Sequence, residues 1–433
     1  MTTRDHHGFE LTGASASAAD SYRQALRSYH CYAGDAIGQA EAALVKSPGF
    51  VMAHVLKAWM HLLGTNREAA IVGAEALAAA KALPANGRER GHIAAIQAFL
   101  GGELRKAARI LEDVSIEHPR DVLALQVGQT LDFFLGEQRM LRDRPARAIP
   151  AWSPDMPDYH AVLGFLAFGL EETGQYERAE EAGREAVALE PQDNWSQHAV
   201  AHVLEMQDRR AEGVAWMTRE ATGWQAESFF AVHNWWHTAL FHLGLGEIDE
   251  ALKLYDGPIF GQPSTFALDL VDASALLWRL HLRGVELGDR WTSVADAHAS
   301  EPRGRYAFDD VHAMLTYVGA GRSDAVRDLI DRQAAALAGP GDNAQFAGEV
   351  GLPVMRAIQA FGEGRYDRAV ELLRGVRNKA IRFGGSNAQR DLLDQTLIEA
   401  ARRDGQDALV RALEAERETA KPLARQRAAR LAA

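Results

Sequence analysis

The sequence predicts an all-α protein assembled from repeated helix pairs, and three observations predict it. Apolar residues recur at spacings of three and four in segments of about 12 to 18 residues, the period of a helix with one buried face. Alternation with a period of two is scarce, so strands have almost no signal. One short phrase also recurs, as Gly174-Gln-Tyr176-Glu-Arg-Ala179, Gly246-Glu-Ile248-Asp-Glu-Ala251 and Gly364-Arg-Tyr366-Asp-Arg-Ala369.

Each copy reads as a turn glycine, an aromatic or large apolar residue two positions on, and a small alanine where two helices cross. Residues 160–193 add a closing Leu189-Glu-Pro191, which completes a tetratricopeptide signature. Set out on that template, helix pairs are expected at 18–46, 50–82, 87–118, 120–149, 158–190, 193–222, 228–256, 265–299, 306–338, 342–376 and 386–419. Ser47-Pro48, His118-Pro119 and Glu190-Pro191 end second helices, because the residue before proline avoids the helical region. Asp158, Asp193 and Asn387 are read as N-caps. The proline-rich stretch from Pro145 to Pro157 is expected to be a loop between two halves of the array, and Asp256 to Pro263 a second irregular connection reaching over the groove. The chain divides accordingly into N-terminal repeats (1–150), central repeats (151–256) and C-terminal repeats (257–433). Helix pairs that cannot bury their own apolar faces must stack, so the expectation is a superhelix, an arch or near-closed ring with first helices lining an internal cavity.

Composition excludes several classes. At 433 residues with 47% hydrophobic and 24% charged residues the chain is a globular array, and 14 prolines are too few for long disordered linkers. A net charge of −12 argues against nucleic acid and against anionic membrane surfaces. The arginines after Lys421, namely Arg425, Arg427 and Arg430, read as a solvated last helix. No apolar run of membrane-spanning length occurs and the first residues lack a secretory core, so a cytoplasmic protein is expected. The single cysteine, Cys31, excludes an internal disulfide and a cysteine-based zinc knuckle, and reads as packing.

The repeat register says which side chains face inward. With the turn glycine at position 15, positions 2, 5, 9 and 12 of a first helix face the concave side and position 8 is small. His198, His202 and Glu205 then take positions 5, 9 and 12 of the sixth pair, one stripe at spacings of four and three. In the seventh pair His233 takes position 2, Trp236 position 5 and Ala239 position 8, while His237 leans toward the sixth pair. Asp269 and Asp272 follow in the eighth pair with Trp278 nearby, Asp309, Asp310 and His312 in the ninth, and Gln389 and Arg390 in the eleventh.

The phrases His198-Ala-Val-Ala-His202-Val-Leu-Glu205, His233-Asn-Trp-Trp-His237, Asp272-Ala-Ser-Ala-Leu-Leu-Trp-Arg279 and Gly384-Gly-Ser-Asn-Ala-Gln-Arg-Asp391 resemble the tetratricopeptide repeat protein 38 family, cytosolic all-helical proteins found from bacteria to animals. The similarity spans nearly the whole chain. It implies fold and compartment, and it carries no catalytic assignment to particular residues.

Three functional readings of the inward cluster stay open. His198, His202 and His233 with a carboxylate form a ligand set that zinc or iron accepts, with Asp269 or Asp272 behind it. Without a metal, His202 or His233 beside Asp272 is a general base in a pocket that binds and hydrolyses a small molecule, ringed by Glu205, Trp236, His237 and Trp278. No phosphate loop and no serine elbow is present, so no organic cofactor is expected. The alternative is a non-enzymatic scaffold for a peptide or protein, the usual work of such arrays. Against all three stands plain packing, in which buried histidines and tryptophans satisfy one another. His54, His61, His160 and His281 are read that way, each alone on an apolar helical face.

Overall fold

The computed structural model describes residues 3–219, 228–300 and 303–420. It is all-helical, a tetratricopeptide-type repeat array, and the only β contact among the described residues is an isolated bridge between Arg4 and Glu10. The eleven expected pairs are present. The basic tail after Lys421 and the last residues expected of the sixth pair lie outside the described residues.

The chain divides into two compact units, 1–200 with 220–231, and 201–219 with 232–433. The first contains Ala16–Cys31 with Ala36–Lys46, Val51–Leu62 with Arg67–Lys81, Gly87–Leu100 with Leu104–Glu117, Val122–Leu135 with Gln138–Ala148, and Tyr159–Glu172 with Tyr176–Leu189. The helix Asn194–Met206 opens the sixth pair, and the division falls within it. The second unit continues with Arg210–Arg219, Ala231–Leu245 with Ile248–Leu254, Ala267–Leu282 with Arg290–Ala299, and Ala307–Gly319 with Ser323–Ala336. It ends with Leu352–Gly362 and Tyr366–Val376, then Asn387–Arg403 and Asp407–Ala420. The small position of the template falls on Ala167, Ala201 and Ala239, all fully buried where helices cross.

Local chemistry sets the helix starts, with some corrections. Asp193 caps as expected, its Oδ1 accepting from Ser196 N at 2.8 Å. The eleventh pair is capped by Ser386 rather than Asn387, and Gln389 closes the capping box by accepting from Ser386 N at 2.9 Å. Asp158 stands at the cap position with φ of 64°, but its carboxylate is engaged elsewhere and makes no cap bond. The proline-rich loop begins later than expected, since Pro145 lies inside the helix Gln138–Ala148 and a 3-10 turn follows at Ile149–Ala151. The carbonyl that Pro145 cannot satisfy is that of Leu141, and Gln129 Nε2 donates to it at 2.6 Å. The connection after Tyr255 kinks at Gly257, and Asp256 is tied to Arg290 at 2.6 and 2.7 Å.

Within each unit, a terminal part of the chain covers the first helices. In the first unit the segment 3–15 lies across several helix starts: Thr12 N donates to Glu89 Oε1 at 2.9 Å, and Arg88 sits over the Phe9 ring. The first helix of the first pair meets the fourth and sixth pairs through His30 with Gln126 and through Asn194 Nδ2, which donates to Tyr32 O at 3.0 Å. In the second unit the first helix of the eleventh pair meets the eighth, where Trp278 Nε1 donates to Thr396 Oγ1 at 3.0 Å and Arg279 Nη2 to Ala388 O at 2.7 Å.

Candidate functional site

The second unit gathers a buried polar cluster from three consecutive first helices. His202 comes from Asn194–Met206, His233 and His237 from Ala231–Leu245, and Asp272 from Ala267–Leu282. All four are at most 5% exposed. His233 Nδ1 donates to the Asp272 carboxylate, at 2.9 Å to Oδ2 and 3.0 Å to Oδ1. The ring of His237 lies 4.5 Å from that of His202 and 4.9 Å from that of His233. Each of the three histidines offers a nitrogen within 4.8 Å of the others. The lean of His237 toward the sixth pair, expected from register, is what the geometry has.

Burial governs the protonation here. It pushes His202 and His237 well below the ordinary histidine value, and the neighbouring imidazoles add to the effect. Burial also raises Asp272, opposed by His233. Asp269, one turn earlier, is pushed up to about 6 by burial, although Ser264 Oγ donates to it at 2.6 Å. Trp236 is fully buried and stacks on His233, with ring centroids 5.3 Å apart.

Trp278, Gln389, Arg390 and His312 are engaged outside this cluster. Trp278 points into the core against Phe361, Trp291 and Thr396. Gln389 is spent on its capping box, and Arg390 Nη2 donates to Asn387 at 2.7 Å. His312 Nδ1 donates to the Phe308 carbonyl at 2.9 Å, and burial lowers this histidine to about 4. His198 falls in the first unit and packs among Phe168, Trp195 and Phe230. His160 is not alone on an apolar face: its Nδ1 lies 2.7 Å from Asp193 Oδ2, because the cap residue of the next pair reaches back to it.

One turn beyond the histidines, on the same helices, the second unit has a charged cavity of about 430 Å³. Glu205, Arg210, Arg279, Arg283, Asp391 and Arg417 line it. Register did not single out Arg279, which sits two turns after Asp272 and is 2% exposed. Its guanidinium donates to the carbonyls of Ala275 and Ala388 and lies 5.3 Å above the Trp236 ring. Among the described residues no carboxylate comes within ion-pair distance of Arg279 or Arg283. Burial lowers Arg279 to about 10, with Asp391 and Glu205 opposing from farther off.

The first unit has a polar cluster of its own that the sequence reading missed. His6 Nε2 lies 2.6 Å and His7 Nε2 3.0 Å from Asp158 Oδ2. Burial pushes the Asp158 carboxyl up, but the hydrogen bonds from these two histidines outweigh it and hold the group well below the usual carboxylate range. Adjacent histidines near a chain start look like a solvated tail, and an aspartate before a helix looks like a cap, so neither residue type announced the pairing.

No family model matches the chain. Its fold is similar to solved helical structures at low identity. The APC/C hetero-tetramer Cut9–Hcn1 shares 12% identity at a TM-score of 0.40, covering 88% of this chain and 76% of that one. Yeast Tom70 shares 10% at 0.42, covering 90% and 88%. The P58(IPK) TPR domain shares 13% at 0.21, covering 90% and 99%. Among the described residues no helix is long and apolar enough to cross a membrane.

Proposed function

We propose that this tetratricopeptide-type chain is a binding protein of the tetratricopeptide repeat protein 38 family whose second unit takes a small anionic molecule. The family reading is supported by where its four phrases fall, since they supply His202, His233, His237, Asp272, Arg279 and Asp391. Arg279 is the observation that carries the ligand reading. A buried guanidinium is normally matched by a carboxylate, because taking an uncompensated charge out of water is unfavourable. Here two carbonyls and an indole hold the group while its charge faces a cavity of small-molecule size. A planar guanidinium with Arg283 and Arg210 alongside suits a carboxylate or phosphate group.

The His233–Asp272 pair adds a chemical option. With Nδ1 held by a carboxylate, the imidazole is fixed in the tautomer that accepts a proton at Nε2, the arrangement of a general base in hydrolysis. Binding is tested first. Melting curves at matched ionic strength, with citrate or inorganic phosphate added, are expected to rise for the wild type and to stay flat for Arg279→Met. A wild type indifferent to both anions would sink the reading.

A protein-binding scaffold is the second reading, and the fold favours it, since stacked pairs present extended surfaces and ask for no chemistry. Ile37, Val45, Ile71, Ile116 and Leu189, all on second helices of the first unit, are exposed apolar side chains. The second unit's own eleventh pair already covers part of its first helices, which leaves the second helices for a partner. Cross-linking mass spectrometry of a purified complex discriminates: cross-links on second helices, unaffected by Arg279→Met, would favour the scaffold.

A further inference from the structure

We infer that His202, His233 and His237 hold a divalent transition-metal ion of the zinc type. Three imidazoles from two neighbouring helices offer nitrogens within 4.8 Å of one another. Around a tetrahedral ion with Zn–N bonds of about 2.0–2.1 Å, nitrogens stand roughly 3.3–3.4 Å apart, so small side-chain movements close the set. The rings already face one another at 4.5 and 4.9 Å between centroids.

The arrangement behind these histidines points the same way. Metal-bound histidines usually give their other ring N–H to a carboxylate or carbonyl, which fixes the tautomer and raises basicity. His233 does this with Asp272, a fully buried carboxylate, and so presents Nε2 to the other two rings. Trp236 stacks on His233 and limits its rotation. Neutral imidazole with no thiolate in the set suits zinc, ferrous iron or cobalt rather than magnesium or calcium, which prefer oxygen. The three histidines are not among the side chains that line the anion cavity, so either site can fail without the other.

The test uses full-length protein purified without a histidine tag or chelator. Elemental analysis is expected to find zinc or iron near one ion per chain, with His237→Ala losing it. Asp272→Asn should keep the stoichiometry at saturation but bind about 10–100-fold more weakly. His7→Ala, which touches Asp158, His6 and Trp152 in the first unit, should keep the metal. Cobalt(II) added to chelator-stripped wild type should develop visible absorption, and X-ray absorption of the zinc form should count at least three imidazole nitrogens. Because the last two measurements use the wild type, they stand even if His237→Ala does not fold. A stripped wild type that binds neither zinc nor cobalt at neutral pH overturns the inference. So does metal retained in a folded His237→Ala, metal lost from His7→Ala, or an ion with fewer than three imidazoles.

Discussion

Asp272 and Asp310 are buried and Asp158 is half-buried, and their neighbours give each a different role. Asp158 receives two histidine bonds and stays ionised, Asp272 orients His233, and Asp310 is pushed up to about 7 by burial. Arg303 opposes that rise from a distance, Asp309 adds to it, and the hydrogen bonds from Gly304 N at 2.8 Å and Gln333 Nε2 at 2.5 Å lower it only in part. In the unfolded chain the same carboxyl loses its proton near ~4. Between about pH 4 and 7 the folded state therefore binds more protons, and stability falls as pH rises through that window. The contribution is on the order of 4 kcal/mol by pH 8. Asp310→Asn keeps the acceptor oxygen and removes the titration. Urea unfolding at pH 5 and pH 8 should show the variant's standing against the wild type improving from pH 5 to pH 8; an equal difference at both would mean that Asp310 is solvated in the native state.

At the scale of helices, the repeat template was legible because its signals are local. Turn glycines, crossing alanines and pre-proline stops recur along the sequence, and all eleven pairs follow from them. The same register brought His202 to His237. Contacts made by a segment outside the repeat leave no periodic trace, which is why His6 and His7 meeting Asp158 could not be read. Arg279 was hidden for another reason, since a cation two turns after an acid on a helix looks like ordinary surface until its burial is known. Gly169 and Gly174 separate two uses of glycine within one pair. A Cβ on Gly169 would stand 2.2 Å from Leu141 O and 2.5 Å from Arg142 Cα, backbone atoms of the neighbouring second helix that cannot step aside. Gly174 faces open space and is needed only for its φ of 77°. Gly174→Ala is thus expected to destabilise by about 1–2 kcal/mol from backbone strain alone, and Gly169→Ala by about 3 kcal/mol or more through overpacking. Denaturant unfolding compares them; equal effects would mean that the two helices can separate without penalty.

At the scale of the whole molecule, the two units should answer acid differently. In the second unit His202, His237, His298 and His312 are all held below the ordinary histidine value, burial being the main cause for each. A group whose folded value is depressed contributes stability above its unfolded value, near ~6.5 for histidine, and loses it as pH falls. Asp269, Asp272, Asp310 and Asp394, all raised by burial, act oppositely over part of the same range, and they are expected to offset only part of what the four imidazoles lose. The first unit has one fully buried histidine lowered in this way, His30, and its effect is countered by His160, which the Asp193 hydrogen bond raises against burial. Its depressed carboxylates, Asp121 and Asp158, hold their contribution until pH drops below about 4. Scanning calorimetry from pH 7 to pH 5 should therefore lower the second unit's transition by more than the first's. Gly169→Ala marks the first unit's transition and Asp310→Asn the second's. A bound metal would sharpen the contrast, because protons compete for the same imidazole nitrogens. Transitions that fall together, or a first unit that weakens sooner, would mean that water reaches the second unit's histidines and that their burial does not govern their charge.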